Sequence, residues 1–294
     1  MRTLIFGATG MLGQALMRQA QARGLDVIGS ARSGGDMAVD MMDAAALKAA
    51  VAEVAPDVII NAAALTDHDA SEHDIAGTYS INARAVALLA DAARAKGIRL
   101  VQISTDQFWT GDGALAHDED HPISMLPGEY VRTKLAGEVF ALTAPNALVV
   151  RTNITGLRGT PGRPTFIEWV FSEVEQGRPF RLFDDYFGST IDTGAFADIS
   201  FDLIASDAAG RFNLASRTVS SKQDFILAAA RKLTGVDPDY TSTSVAELAT
   251  ARAESAGLDV SKIEKHLGRP MPDRDQVVSA LAAAWAKRDT SPRR

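Results

Sequence analysis

Cysteine is absent from this sequence of 294 residues. Its absence excludes disulfide bridges, thiolate-bound zinc and a cysteine nucleophile. A chain of this length, 46% hydrophobic, can bury a core that needs neither a disulfide nor a structural metal. The composition therefore indicates an ordinary globular protein, and the missing cysteines fit the cytoplasmic location that we predict.

Long apolar runs and an excess of basic residues are also missing. No apolar run approaches the roughly 20 residues of a membrane span, and the N-terminus does not follow the order of a signal peptide. The formal net charge of −7 argues against nucleic acid or an anionic membrane as the main partner. We expect neither partner, whereas a nucleotide ligand is compatible with this composition and a homodimer is left open.

The first half of the chain alternates short β-rich runs with helical stretches. Strands are expected at residues 3–6, 26–29, 57–60, 99–103 and 148–151, and helices at 11–23, 44–54, 75–96 and 130–142. This alternation predicts βαβ units around a parallel sheet. The near-continuous apolar runs at 58–60 and 100–103 are typical of strands that are covered on both faces. We therefore predict an α/β fold with a Rossmann-type doubly wound parallel sheet.

The composition of the sequence and its pattern of predicted elements change after residue 155. Residues 156–164 are rich in glycine and proline and indicate a loop. Helices are then expected at 166–176, 193–206, 221–234 and 274–287, with a strand near 180–183. We predict an NAD(P)-binding Rossmann domain at residues 1–155. Residues 156–294 would form mainly a smaller C-terminal substrate-binding lobe, with some segments returning to the first domain.

Three glycines, spaced GxxGxxG, lie between the first strand and the first helix. Glycine allows a tight turn, a close approach of the backbone to pyrophosphate and close packing of helix on strand. The N-terminus of the helix then offers free N–H groups and a positive dipole end to phosphate. The pattern predicts a dinucleotide-binding loop. Its expected cofactor-binding residues are Gly7, Thr9, Gly10 and Gly13.

The end of the second strand carries no acidic residue that could hydrogen-bond to a ribose 2′-hydroxyl. Ser30 and Arg32 stand there instead, and a guanidinium group matches the geometry and charge of a 2′-phosphate. A solvated loop arginine is the alternative for Arg32. We predict that NADP(H) is preferred, with NAD(H) as the second choice. Asp40, just before Met41, is placed either to meet the adenine amino group or to form a turn.

Tyr130 and Lys134 lie four residues apart, on one face of a predicted helix. The ordinary pKa of tyrosine, about 10, is too high for free proton exchange at neutral pH. A nearby ammonium group lowers that pKa, so Tyr130 is a candidate general acid. Thr105 follows the strand at 99–103, at the edge where open α/β sheets bind ligands. Its hydroxyl could orient a substrate carbonyl.

Further segments complete a pattern that extends over most of the chain and weakens after about residue 215. They are residues 61–64 (Asn-Ala-Ala-Ala), 104–106 (Ser-Thr-Asp), 130–138 (Tyr-Val-Arg-Thr-Lys-Leu-Ala-Gly-Glu), 151–152 (Arg-Thr) and 185–190, together with Asn82. With the glycine loop, this pattern resembles the dTDP-4-dehydrorhamnose reductase family of the extended short-chain dehydrogenases/reductases. The resemblance implies a cofactor lobe and a smaller lobe for a nucleotide-linked sugar.

The resemblance also implies roles for individual residues. Thr105, Tyr130 and Lys134 would form the catalytic triad, with Lys134 also binding the nicotinamide ribose. The other cofactor-binding residues that it implies are Met11 and Leu12 beside Gly10 at the phosphates, Ala63, Ala64 and Leu65 on the adenosine side, and Met41 and Asn82. The substrate-binding residues would be Thr105, Asp106, Gln107, Asn153 and Ile154.

Two departures from the family pattern affect the sugar site. The family follows Ser-Thr-Asp with Tyr-Val-Phe, whereas this chain has Gln-Phe-Trp at 107–109. An aromatic residue usually follows Arg-Thr-Ser in the family, whereas this chain reads Arg-Thr-Asn-Ile at 151–154. The identity of the sugar is therefore left open.

The function that we predict is NADPH-dependent reduction of a 4-keto-6-deoxy sugar nucleotide, with hydride transfer to C4 and Tyr130 as the proton donor. The alternatives are a sugar-nucleotide epimerase of the same superfamily and a non-catalytic NADP-binding regulatory subunit. His117 and His121 flank an acidic triplet that could bind a metal. We favour an acidic surface loop there and predict no metal site.

Overall fold

The computed structural model describes residues 1–124, 128–159, 162–248 and 250–288. Its strands are β1 (Arg2–Phe6), β2 (Asp26–Ala31), β3 (Met37–Ala38), β4 (Val58–Asn61), β5 (Arg99–Ile103), β6 (Ala116–His117), β7 (Leu148–Arg151), β8 (Asn153–Thr155), β9 (Phe180–Phe183), β10 (Phe187–Gly188), β11 (Thr190–Asp192), β12 (Gly210–Asn213), β13 (Ser220–Ser221), β14 (Tyr240–Thr243) and β15 (Ser255–Leu258).

The helices alternate with these strands. They are α1 (Met11–Ala22), α2 (Ala44–Val54), α3 (His68–His73), α4 (Ile75–Tyr79), α5 (Ala85–Lys96), α6 (Gly128–Ala141), α7 (Phe166–Glu175), α8 (Thr193–Ala205), α9 (Lys222–Thr234), α10 (Ser261–Leu267) and α11 (Arg274–Ala286). A π-helical turn spans Ser80–Arg84 and a 3₁₀ turn spans Val245–Glu247. None of the helices in the described ranges is long and apolar enough to cross a membrane.

Seven strands form one parallel sheet in the order β12-β7-β5-β4-β1-β2-β3. The chain winds outward from β1 through β2 to β3, and then returns to β4 on the other side of β1. The loops that follow β1 and β4 therefore diverge at the carboxyl edge of the sheet, which is where such folds bind ligands.

Alternate residues of the central strands enter two separate cores. Ile5, Ile60 and Val101 pack in the core that contains α1 and α8. Leu4, Ile59 and Leu100 pack in the core that contains α2 and α5. Because parallel strands covered on both faces read as continuous apolar runs, this arrangement explains the sequence pattern. The predicted doubly wound α/β fold is confirmed.

Segments beyond residue 155 pack on this sheet. β12 extends the sheet beside β7, with Phe212 opposite Val150, although no strand is predicted there from the sequence. Helix α8 packs against α1, and the carboxylate of Asp198 accepts a hydrogen bond of 2.7 Å from the Gln19 amide. The remaining strands form a sheet in the order β13-β10-β15-β6 and two strand pairs, β11-β8 and β14-β9.

The helix predicted at 75–96 is interrupted by the π-helical turn. Helix α6 approaches this turn closely, since a Cβ on Gly137 would lie 2.4 Å from the carbonyl oxygen of Asn82. Wide turns of this kind are often found at functional sites. Here the turn carries Asn82 toward the loop that follows β4.

The acidic segment at 117–121 is not the surface loop expected from the sequence. Pairing of β6 with β15 places His117 opposite Leu258 and buries its side chain completely. Glu119 is also buried, and it accepts a hydrogen bond from the backbone N–H of Asn213. Only Asp118 and Asp120 of this segment are exposed, in the turn that follows β6 and in which the Asp118 carboxylate accepts a hydrogen bond of 3.0 Å from the Asp120 N–H.

Candidate active site

A cavity of about 640 Å³ lies at the carboxyl edge of the large sheet, between the loops that follow β1, β4 and β5. Twelve of the predicted site residues line it: Gly10, Met11, Leu12, Gly13, Ala64, Thr105, Asp106, Gln107, Tyr130, Lys134, Asn153 and Ile154. The fold therefore brings together residues from five separate segments of the chain. Cavities of this size are typical of small-molecule and cofactor sites.

The glycine loop forms one end of this cavity. Gly7 has a φ of +83°, and its N–H donates a hydrogen bond of 2.8 Å to the carbonyl oxygen of Ser30. A Cβ on Gly13 would lie 2.0 Å from the carbonyl oxygen of Gly7, so no larger residue fits there. Gly10 is the N-cap of α1 and supplies no side-chain cap. The first N–H groups of the helix are therefore available to an anion.

Tyr130 enters the cavity from the first turn of α6. Its hydroxyl lies near the Thr105 side chain, which favours the ionised phenol, and its ring lies 4.7 Å from the ring of His68. Burial raises the pKa of Tyr130 to about 12, and the nearby carboxylate of Asp106 acts in the same direction. The prediction that the Lys134 ammonium group lowers this pKa is therefore wrong, because desolvation of the phenol outweighs any effect of that group. The phenol is protonated at neutral pH.

Lys134 lies one turn further along α6 and is buried. Its ammonium group donates a hydrogen bond of 2.6 Å to the carbonyl oxygen of Ile103, at the end of β5. Burial lowers the pKa of Lys134 to about 8, and the negative charge of Glu138 opposes this shift. An ammonium group has three N–H donors, so the bond to Ile103 leaves others for a ligand.

Asp106 and Asn153 form a hydrogen-bonded pair in the predicted sugar region. The amide nitrogen of Asn153 donates to the Asp106 carboxylate at 2.6 Å, and its oxygen accepts from Thr190 at 3.2 Å. These two bonds fix the orientation of the amide. Burial raises the pKa of Asp106 to about 6, although the hydrogen bond from Asn153 and the charge of Lys222 oppose the shift.

The other end of the cavity is lined by side chains outside the main set of predicted site residues. Lys222 lies 4.9 Å above the ring of Phe166 and 5.5 Å from that of Tyr186. Arg158 and Arg252 also line this end. The sequence marks some of them only weakly: Tyr186 lies in the segment 185–190 of the family pattern, Lys222 lies at the start of the helix predicted at 221–234, and Arg158, in the loop at 156–164, is either a contact for a nucleotide diphosphate or a solvated residue. Nothing in the sequence marks Arg252.

Several residues that line the cavity also carry a buried polar atom with no hydrogen-bond partner among the described residues. These atoms are Ser104 Oγ, Gln107 Oε1, Thr152 Oγ1, Thr155 Oγ1 and Arg158 Nε. Leaving such groups unpaired costs about 1–3 kcal/mol each.

Of the residues predicted on the adenosine side, only Ala64 lines the cavity. Arg32 is exposed and has no hydrogen bond or ion pair among the described residues. Ser30 is part of β2 and fully buried, with no partner for its hydroxyl. Asp40 accepts a hydrogen bond of 2.9 Å from the N–H of Met42, which makes it a turn residue. The side chain of Met41 packs in the core with α2 and α5.

Asn82 does not line the cavity either. Its amide oxygen accepts a hydrogen bond of 2.9 Å from the N–H of Leu65, and its amide nitrogen donates one of 2.9 Å to the Leu65 carbonyl oxygen. The same nitrogen also donates to the Thr133 hydroxyl. Both of its donors are thus engaged. The side chain fixes the loop that contains Ala63 and Ala64, and the cofactor contact of Asn82 stays a prediction.

Comparison with known proteins places this chain in a family of nucleotide-sugar enzymes with the same fold. Residues 1–286 match the RmlD substrate-binding domain, and the chain belongs to that family. It is 30% identical to the "Probable low-salt glycan biosynthesis reductase" of Haloferax volcanii, over 97% of this chain and 99% of that one. It is 35% identical to the dTDP-4-dehydrorhamnose reductase of Streptomyces griseus, over 71% and 67% of the two chains.

The family is also represented among solved structures. A dTDP-4-dehydrorhamnose reductase from Clostridium acetobutylicum superimposes with a TM-score of 0.86 at 25% identity, covering 97% of this chain and all of the other. The membership that the sequence motifs predict is thereby confirmed.

Proposed function

We propose that this protein is an NADPH-dependent reductase of a nucleotide-linked 4-keto-6-deoxy sugar. The observation that carries the proposal is the convergence of Thr105, Tyr130 and Lys134 with the glycine loop in one cavity. The names of the relatives, which are sugar-nucleotide or glycan reductases, support the same chemistry. The chain is accordingly an NAD(P)-dependent oxidoreductase that acts on a carbonyl group.

The residues at the glycine end fit a dinucleotide. Gly7 and Gly13 leave no room for a Cβ, which would meet the backbone of Ala63 and of Gly7 respectively, so the loop and α1 stay closely packed on the sheet, and the first turn of α1 offers N–H groups to phosphate. Gly10, Met11 and Leu12 would hold the phosphates, and Lys134 the nicotinamide ribose. When bound, the nicotinamide supplies a hydride. Arg32 follows β2 and is exposed, without a hydrogen bond or ion pair in the part of the chain that the structure describes, and it would meet a 2′-phosphate.

The proton that completes the reduction comes from Tyr130. Its raised pKa keeps the hydroxyl protonated, which is the form that a general acid requires. Thr105 lines the cavity beside this hydroxyl and can hold the substrate oxygen next to it. The ammonium group of Lys134 would stabilise the phenolate left behind. Hydride on carbon and a proton on oxygen together give an alcohol.

The opposite end of the cavity suits the rest of a sugar nucleotide. Lys222, Arg158 and Arg252 supply positive charge for a diphosphate, and arginine matches phosphate geometry. The rings of Phe166 and Tyr186 offer apolar surface beside them. Asp106 and Asn153, which hydrogen-bond to each other, would contact sugar hydroxyls. Gln107 and Ile154 depart from the family pattern here and would set the choice of sugar.

The test is to mix the purified protein with NADPH and a panel of 4-keto sugar nucleotides and to follow the nicotinamide absorbance. The proposal expects stoichiometric NADPH oxidation with at least one member of the panel. Epimerisation of a sugar nucleotide without net oxidation of the cofactor would support the epimerase instead. NADPH binding without conversion of any sugar would support a regulatory subunit, and either result would overturn the reductase.

A further inference from the structure

A second cluster of side chains with metal-binding chemistry lies outside the active-site cavity. It consists of Asp112, His117 and His121, whose ligand atoms all lie within 4.8 Å of one another. Both histidines also contact Trp109: the ring of His117 is stacked on it at 4.3 Å, and the ring of His121 meets its edge at 6.1 Å. None of these residues lines the cavity described above.

The hydrogen bonds of His117 fix which of its nitrogens carries a proton. Nδ1 lies 2.9 Å from the carbonyl oxygen of Gly257, which can only accept, so Nδ1 must donate. In a neutral imidazole Nε2 then carries a lone pair. This lone pair faces Oδ2 of Asp112 at 3.2 Å, and a carboxylate oxygen is also an acceptor. Two acceptors this close need a proton or a cation between them.

The spacing of the His117 and Asp112 atoms suits a metal ion. Zinc bonds of about 2.0–2.1 Å in tetrahedral geometry separate neighbouring donor atoms by about 3.3 Å, close to the 3.2 Å between His117 and Asp112. The ligand atom of His121 lies within 4.8 Å of both. The bond from His117 to the Gly257 carbonyl is the outer-shell contact that orients most metal-binding histidines.

His121 provides a third ligand. Neither of its ring nitrogens hydrogen-bonds to any described residue, and its ring lies 4.7 Å from that of His117. The side chain is half-buried, and Asp112 is exposed. An ion can therefore enter from solvent, and water would complete its coordination.

We infer that Asp112, His117 and His121 bind a divalent transition-metal ion such as Zn²⁺. Two imidazoles and one carboxylate suit this class of ion better than Mg²⁺ or Ca²⁺, which take oxygen ligands. The ion would cross-link the segment at 112–121, which hydrogen bonds from the Asp112 N–H to Ser255 Oγ and from His117 to the Gly257 carbonyl hold against β15. Its role would be to stabilise the small sheet rather than to take part in the reduction.

Calorimetric titration of chelator-treated protein with Zn²⁺ tests the inference without any measurement of turnover. We expect one ion per chain. His121→Ala and Asp112→Asn should each weaken binding at least tenfold, because each removes one ligand. Replacing Zn²⁺ with Co²⁺ should give the visible absorption bands of a four-coordinate site. At about a hundredfold excess over Kd, Zn²⁺ should raise the Tm by about 5 °C.

His73→Ala is the matched control, since His73 is an exposed histidine outside the cluster. It should bind Zn²⁺ as the wild type does. Equal affinity of the wild type, His121→Ala and Asp112→Asn would show adventitious surface binding and overturn the site. Absence of stoichiometric binding would also overturn it and would assign the contact between His117 and Asp112 to a proton.

Discussion

The buried ion pair between Glu138 and Arg151 joins α6 to β7. The guanidinium group donates to both oxygens of the Glu138 carboxylate at 2.9 Å, and neither side chain is more than 2% exposed. Arg211 of β12 adds a third contact at 3.1 Å, from a side chain that is 32% exposed. The Arg151 group also lies 4.8 Å above the ring of Phe108.

Substituting Glu138→Gln keeps the size of the side chain and one hydrogen-bond acceptor but removes the negative charge. Two guanidinium groups would then face a neutral amide, and the buried Arg151 would be uncompensated. Removing one partner of a buried pair costs about 3–5 kcal/mol. Because one acceptor remains, we expect a loss of about 3 kcal/mol in the free energy of unfolding.

Urea unfolding followed by circular dichroism measures this loss, and a thermal scan should show a Tm lower by at least ~6 °C. Arg211→Gln is the matched control and should cost no more than about 1 kcal/mol, since its side chain reaches solvent. The double variant Glu138→Leu/Arg151→Met should recover most of the stability, because it leaves no buried charge. A Glu138→Gln protein within 1 kcal/mol of the wild type would refute this account.

Three further predictions concern the active site. Tyr130→Phe should lower kcat about 10²–10⁴-fold with little change in NADPH affinity, because the proton is lost while the ring remains. Steady-state rates and an NADPH titration measure both, and turnover within a few-fold of wild type would exclude Tyr130 as the acid. Arg32→Ala should weaken NADPH binding about tenfold to hundredfold and leave NADH binding unchanged, with partial recovery in Arg32→Lys. Fluorescence titrations check this, and unchanged NADPH affinity would remove Arg32 from the site. The Asp106 carboxyl has a pKa of about 6 in the folded chain against an ordinary 3.8, so the folded state binds its proton more tightly and stability falls as pH rises through this window. Asp106→Asn should therefore flatten the pH dependence of unfolding between about pH 4 and 6, and an unaltered slope would argue against the buried charge.

Local patterns were sufficient to predict the nucleotide half of the fold. The strands at Arg2–Phe6 and Arg99–Ile103 are marked by their own composition, and the glycine loop by its spacing. β12 was missed because Gly210–Asn213 has little strand signal of its own and is ordered by pairing with β7. The burial of His117 was missed for the same reason, since its partner strand β15 is 140 residues away.

The pKa values of the site residues were less predictable from the sequence than the identity of those residues. The spacing of Tyr130 and Lys134 indicated a lowered pKa for the phenol, but the structure shows a raised one, because burial is a property of the whole fold. The cationic residues Lys222 and Arg252 could not be placed from the sequence at all. They reach the cavity only through the packing of distant segments.

The four-residue spacing in the α6 motif follows from the strands against which this helix packs. Successive residues at this interval lie one turn apart on one face, and here each meets a different requirement. Tyr130 reaches the cavity, Lys134 bonds to the end of β5, and Glu138 pairs with Arg151 at the end of β7. Because β5 and β7 are neighbours in the sheet, one straight helix can satisfy both. Glu138 also opposes the lowering of the Lys134 pKa, so a residue that stabilises the fold helps to keep the ammonium group of Lys134 charged.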